Sequence, residues 1–131
     1  MRFENLKGQT LSNISIIKND EKEYDSVIFE VLNSNVKYKL FHFPDCCELV
    51  TLEDICGDIE DLIGTPILLA EEVINSDDDG LDRLDRKEGT HINDSWTWSF
   101  YKLSTIKGSV TLRWYGTSNG YYSETVDFVE I

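Results

Sequence analysis

Five of seven consecutive residues carry groups that can bind a metal or move a proton: His42, Asp45, Cys46, Cys47 and Glu48, in the string His42-Phe43-Pro44-Asp45-Cys46-Cys47-Glu48. Imidazole and thiolate together suit zinc, whereas the carboxylates suit harder cations. The spacing is wrong for a closed zinc site, because adjacent cysteine side chains point apart and no C-x2-C pair occurs. The plainer reading is a tight turn, with two small buried thiols and two carboxylates bonding backbone amides. No histidine-rich metal site is available, since the chain has only His42 and His91.

A third carboxylate enters from the last turn. A three-residue loop, Ser118-Asn119-Gly120, would pair Val110 with Phe128, Leu112 with Val126 and Trp114 with Glu124, keeping one face apolar. A two-residue Asn119-Gly120 loop would instead divide the apolar residues between both faces. In the chosen register Glu124 lies on the core-side row beside Trp114, where a carboxylate needs a partner. Tyr122 faces Gly116, so its ring is expected to cover the glycine. The Asp45–Glu48 turn is therefore expected to lie against Tyr122–Glu124. The candidate site is His42, Asp45, Cys46, Cys47, Glu48, Trp114, Tyr122 and Glu124. A divalent ion, of unassigned identity, would sit among Asp45, Glu48 and Glu124 with His42 near. No residue is assigned a catalytic role. No cofactor is expected, as there is neither a Gly-rich phosphate loop nor a nucleophile elbow.

Other clusters have plainer explanations. Asp54, Asp58 and Asp61 would form one helical stripe, whose mutual repulsion asks for a cation, a basic partner or nearby Lys and Arg from the sheet. Cys56 beside the apolar stripe reads as a small buried hydrophobe. Asn75-x-Asp77-x-Asp79-Gly80 resembles the start of a calcium loop, but position twelve is Arg86 and the preceding segment reads as strand.

The elements that position these residues read as follows. Thr10 to Ile17, Ser26 to Leu32 and Val36 to His42 are strands, the third placing Val36, Tyr38, Leu40 and His42 on one face. Thr51 to Gly64 is predicted as the helix. Thr51 and Asp54 make a capping box, Leu52, Ile55, Ile59, Leu62 and Ile63 recur at helical spacing, and Gly64-Thr65-Pro66 ends it. Pro66 to Ile74 reads as a strand and Asn75 to Asp94 as a long polar loop. Trp96 to Thr105, Ser109 to Gly116 and Tyr121 to Glu130 complete the set, joined by turns at Thr105-Ile106-Lys107-Gly108 and Ser118-Asn119-Gly120. The expected fold is α+β: a largely antiparallel, mostly meandering sheet of about seven strands with one short helix, in a single domain over residues 1–131.

Charge narrows the function. The chain has 25 acids against 12 bases, a net charge of −13. No base lies between Lys39 and Arg83, where thirteen acids fall, so that third of the chain carries the whole excess. Such charge repels phosphates and argues against direct nucleic-acid binding. What remains is a basic protein partner, a metal, or mimicry of nucleic acid. No segment is apolar enough to span a membrane, and no N-terminal signal core is present. With three cysteines, an odd number, reduced thiols in the cytoplasm are expected. The sequons at Asn13 and Asn93 then have no consequence. Nothing here sets the oligomeric state.

Two blocks also carry a likeness. One is the His42–Glu48 string followed by Glu53-Asp54-Ile55-Cys56-Gly57-Asp58, Asp61-Leu62-Ile63-Gly64 and Ala70-Glu71-Glu72. The other is Trp96-Thr97-Trp98-Ser99-Phe100-Tyr101-Lys102, Lys107-Gly108, Arg113-Trp114-Tyr115-Gly116 and Ser118-Asn119-Gly120-Tyr121-Tyr122-Ser123-Glu124. Together, over most of residues 40–128, they resemble a family of small uncharacterised proteins of bacteria and their phages. The N-terminal hairpin and the 75–94 loop fall outside the likeness. The resemblance implies a bacterial or phage cytoplasmic setting and brings no activity, ligand or catalytic residue. The resulting expectation is a small acidic, non-catalytic binding or accessory protein. The runner-up is a metal-assisted hydrolase using His42, Asp45, Glu48 and Glu124, and the third reading is an acidic mimic of nucleic acid.

Overall fold

The computed structural model describes residues 2–18, 25–45, 47–76 and 95–131. Its described residues form eight strands and two single 3-10 turns, Phe3–Leu6 and Ile59–Leu62. The strands are β1 (Leu11–Ile17), β2 (Ser26–Val31), β3 (Lys37–Phe41), β4 (Leu49–Cys56), β5 (Leu69–Ser76), β6 (Ser95–Thr105), β7 (Gly108–Ser118) and β8 (Asp127–Glu130). They make two antiparallel four-stranded sheets, ordered β1-β2-β3-β8 and β4-β7-β6-β5. The fold is mainly β, and the α+β expectation is corrected on that point.

Both sheets feed one hydrophobic cluster. Val27, Phe29, Tyr38, Leu40 and Phe128 come from the first sheet, and Val50, Leu52, Tyr101, Leu103, Leu112 and Trp114 from the second. Alternation along each strand produces this division, since successive side chains face opposite sides of a sheet. Tyr38, Leu40 and His42 are buried on one row as expected, with Val36 half-buried. Phe3, on the first 3-10 turn, packs edge-on against Tyr101 at 5.0 Å and Phe128 at 5.5 Å, tying the N-terminus to both sheets.

The expected helix over Thr51–Gly64 is instead β4 followed by a 3-10 turn. The cause is a bulge between Leu52 and Asp54, visible as a slip in the pairing of β4 with β7. Val50 and Leu52 face inward in strand phase; the bulge resets the phase, and Ile55 packs inward three positions later. That spacing imitates a helix. Gly57 then ends the strand at φ +115°, where an added Cβ would lie 2.4 Å from the Ser109 carbonyl oxygen. Asp58 accepts from Glu60 N at 3.0 Å and caps the 3-10 turn.

The last hairpin differs for the same reason. β7 already has β4 on one side and β6 on the other, so it has no free edge for the C-terminal strand. β8 crosses to the first sheet and pairs Leu40 with Phe128 and Phe41 with Asp127. The pairings Val110–Phe128, Leu112–Val126 and Trp114–Glu124 do not form. The turn between β6 and β7 is as expected, with Thr105 opposite Gly108.

The bulge also joins the sheets. Buried Asp25, just before β2, accepts from Leu52 N at 2.8 Å, and Lys18 lies 3.4 Å from the same carboxylate while its Nζ donates to Leu52 O. The irregular backbone of β4 is thereby satisfied by side chains of the other sheet, as buried backbone groups require.

Candidate functional site

Two polar clusters sit where the chain crosses between the sheets. The first is on the 42–48 crossover from β3 to β4. His42 is buried, and the Glu48 side chain is fully so, at 0% exposure. His42 Nε2 lies 2.8 Å from Glu48 Oε1, and Nδ1 lies 2.6 Å from the Thr125 carbonyl oxygen. A carbonyl oxygen only accepts, so Nδ1 carries a proton. Glu48 Oε1 also accepts from Asp45 N at 2.6 Å, which closes the turn. Glu48 bonds a backbone amide, as the plainer reading of the string expected, around a buried imidazole; Asp45 and Cys47 are exposed, so the expected second amide-bonding carboxylate and the burial of Cys47 are corrected.

The second cluster surrounds Glu124. Its Oε1 accepts from Thr97 Oγ1 at 2.9 Å, and its Oε2 accepts from Ser118 Oγ at 2.6 Å and from Ser95 Oγ. Ser118 Oγ also accepts from Gly120 N at 3.0 Å, so the carboxylate organises the turn after β7. Glu124 thus has the polar partners it needed, but they are hydroxyls of β6 and β7. Sequence reasoning passed over Ser95, Thr97 and Ser118. Serine and threonine at alternate positions of a strand look like surface, and only the sheet register reveals that they converge. Gly116 lies beneath this segment: an added Cβ would meet Glu124 O at 2.8 Å and Glu124 Cβ at 2.9 Å. Glu124, not Tyr122, covers the glycine.

The two halves of the candidate site therefore meet by backbone. His42 reaches the carbonyl of Thr125, and Phe43 N donates to Asp127 Oδ2 at 3.2 Å. His42, Asp45 and Glu48 are brought together, while Glu124 belongs to its own hydroxyl cradle. Among the described residues no group of three His, Cys, Asp or Glu could hold a metal ion. Trp114 lies in the core, and its indole Nε1 is buried without a hydrogen bond. Tyr122 is half-buried, its ring 5.0 Å from that of Tyr121, which is 84% exposed. Cys47 is disulfide-bonded, contrary to the expected reduced thiols, and Cys46 lies outside the described residues. Cys56 is free and exposed, not buried, because it ends β4 opposite Thr111.

The aspartate stripe dissolves with the helix. Asp54 is an ion partner of Arg113 at 2.8 Å, the neighbouring base that the sequence asked for, and Asp58 is a cap. Asp77 to Gly80, His91 and Asn93 lie outside the described residues.

A separate cleft of about 390 Å³ opens between the first 3-10 turn, β5 and β8. Arg2, Phe3, Glu4, Glu72 and residues Val126 to Val129 line it. At its wall the buried Tyr101 hydroxyl donates to Val126 O at 3.4 Å. Burial pushes the Tyr101 phenol well up, helped by the neighbouring Glu72 carboxylate and by the charges of Asp127 and Glu4.

Fold and site together define a two-sheet antiparallel β protein with internally bonded carboxylates at its crossovers and an acidic cleft beside one sheet edge. The chain belongs to the family described as Domain of unknown function (DUF7448), which matches residues 4–128. The match includes the N-terminal hairpin and the 75–94 segment, which the sequence likeness had left out. No curated protein and no solved structure matches the chain. Among the described residues no helix is long and apolar enough to cross a membrane.

Proposed function

We propose that this protein is a small, acidic, non-catalytic binding domain of a bacterium, phage or mobile element, acting in the cytoplasm on a basic protein partner. The observation that carries this reading is how the site's carboxylates are spent. Glu124 commits both oxygens to three hydroxyls, and Glu48 commits Oε1 to His42 and the Asp45 amide. Groups bonded in this way hold loops in place; a general base or metal ligand needs an oxygen facing the reactant. The crossovers and the start of β4 present a different chemistry to solvent: Phe43, Leu49 and Tyr121 are each more than half exposed, and Asp45 is exposed as well. Aromatic anchors with an acidic rim suit recognition of a basic surface.

Affinity purification of the tagged protein from its native lysate tests this. A basic partner is expected at low salt and is lost at high salt, because exposed charge attraction is screened within a Debye length of ~10 Å at 0.1 M. Replacing Phe43 and Tyr121 by serine should release the same partner at low salt. No partner, or one retained at high salt, would leave the acidity as a device for solubility alone.

A further inference from the structure

Among the described residues the acidic cleft runs along an unpaired sheet edge. There β8 ends the order β1-β2-β3-β8, so only its β3 side is paired. The phase of that pairing is set by Ile131 N donating to Lys37 O at 2.9 Å. In an antiparallel ladder, alternate residues turn their N–H and C=O toward the partner and the others turn theirs away. Asp127, Val129 and Ile131 therefore face β3, while Phe128 and Glu130 present their backbone groups to the open side. Among the described residues nothing hydrogen-bonds to the backbone of Phe128 or Glu130.

Such an edge is a template for another strand. Here it is neither short of space nor blocked by lysine or proline: the cleft lies directly alongside, walled by Phe3 and by Glu72 of β5. Its charge is selective. Glu4, Glu72 and Asp127 line it from three elements, against the single base Arg2, which sits 3.9 Å from Glu4. All three carboxylates act on the Tyr101 phenol at the cleft wall, so their field converges there. Glu130 adds a further exposed acid at the far end of the strand.

We propose that the β8 edge takes an extended, lysine- or arginine-bearing peptide as a fifth strand of the first sheet, with alternate basic side chains on the Phe128 face meeting Glu4 and Glu72. This rests on the binding-domain reading above and gives it a place and a mode. The peptide's backbone would bond Phe128 and Glu130, and its period of two would bring every second side chain to the carboxylates. Strand addition supplies affinity through main-chain bonds, and the carboxylates supply the choice of sequence.

The test uses the full chain and a synthetic peptide alternating lysine with valine, followed by fluorescence anisotropy. Three comparisons accompany it: the same peptide with alternate backbone nitrogens methylated, a glutamate-valine peptide, and the protein variants Glu4→Gln/Glu72→Gln and Glu130→Pro. Proline at Glu130 removes an outward N–H and leaves the β3 ladder intact. The lysine peptide is expected to bind and the glutamate peptide not to. The double glutamine variant should weaken binding roughly tenfold, and methylation or Glu130→Pro should do so by at least as much. Amide exchange in the complex should slow at Phe128 and Glu130. Failure of the lysine peptide to bind would overturn the proposal. So would binding indifferent to methylation and to Glu130→Pro, which would mean charge attraction without strand addition. If the lysate partner is retained by Glu130→Pro, the binding-domain reading stands and the β8 edge falls.

Discussion

His42→Leu is expected to destabilise the protein by about 3 kcal/mol, the cost of leaving a buried carboxyl group and a backbone carbonyl without their hydrogen-bond partner. His42 holds the Glu48 carboxylate through one nitrogen and the Thr125 carbonyl through the other. Leucine matches the ring in bulk but donates nothing. Glu48 Oε1 would keep only the Asp45 amide among these donors, and the Thr125 carbonyl would lose its own. Stability is typically only ~5–15 kcal/mol, so the variant should sit near the edge of folding. Chemical denaturation measures it. The control is the double variant His42→Leu/Glu48→Leu, in which both polar partners are gone. It should be more stable than the sum of the single changes predicts by more than ~1 kcal/mol. Additive effects would mean that the two side chains do not act as a pair.

Gly116→Ala should be the second severe change, although it adds one methyl group. Its Cβ would stand 2.8 Å from the Glu124 carbonyl oxygen, 2.9 Å from Glu124 Cβ and 3.2 Å from Val50 Cγ2. The first is backbone, and the second is bonded directly to the backbone, so neither can swing aside. Overpacking of this kind costs about 1–3 kcal/mol. The stronger consequence is local: the 120–126 segment must lift, and Glu124 leaves its hydroxyls. We expect a fall in melting temperature of roughly 10 °C, with amide exchange quickening at Gly120, whose N–H rests on Ser118. A variant with unchanged exchange there would show that the glycine is not what lets the segment approach.

Much of the first sheet was legible because its strands alternate cleanly. Tyr38, Leu40 and His42 declared a buried row, and His42 proved to be its polar end. The turn at Thr105–Gly108 carried its own chemistry in the glycine. What was not legible followed from one bulge. A single extra residue near Glu53 turned a period of two into a spacing of three, and a capping-box pattern at Thr51 and Asp54 completed the disguise. If β4 is taken as a helix, β7 has a spare edge on which the C-terminal strand would dock; with β4 paired there it has none. The site suffered in the same way. Glu124 is buried and does need partners, but the pairing with Trp114 that placed it on the core side does not form, and Ser95, Thr97 and Ser118 are brought to it by pairing between strands β6 and β7. Local pattern carries no record of such long-range register.

The account makes the site's carboxylates structural, and metal titration tests that most directly. Metal-free protein would be heated with zinc, manganese, magnesium or calcium, alongside Glu124→Gln. An ion that binds the folded state raises its melting temperature by mass action. No saturable rise is expected with any of the four ions, and Glu124→Gln should start from a lower stability, since its amide group meets hydroxyls that now donate to a carboxylate. A saturable rise in the native protein that Glu124→Gln abolishes would contradict it and would place a metal-assisted hydrolase, using His42, Asp45, Glu48 and Glu124, in its stead.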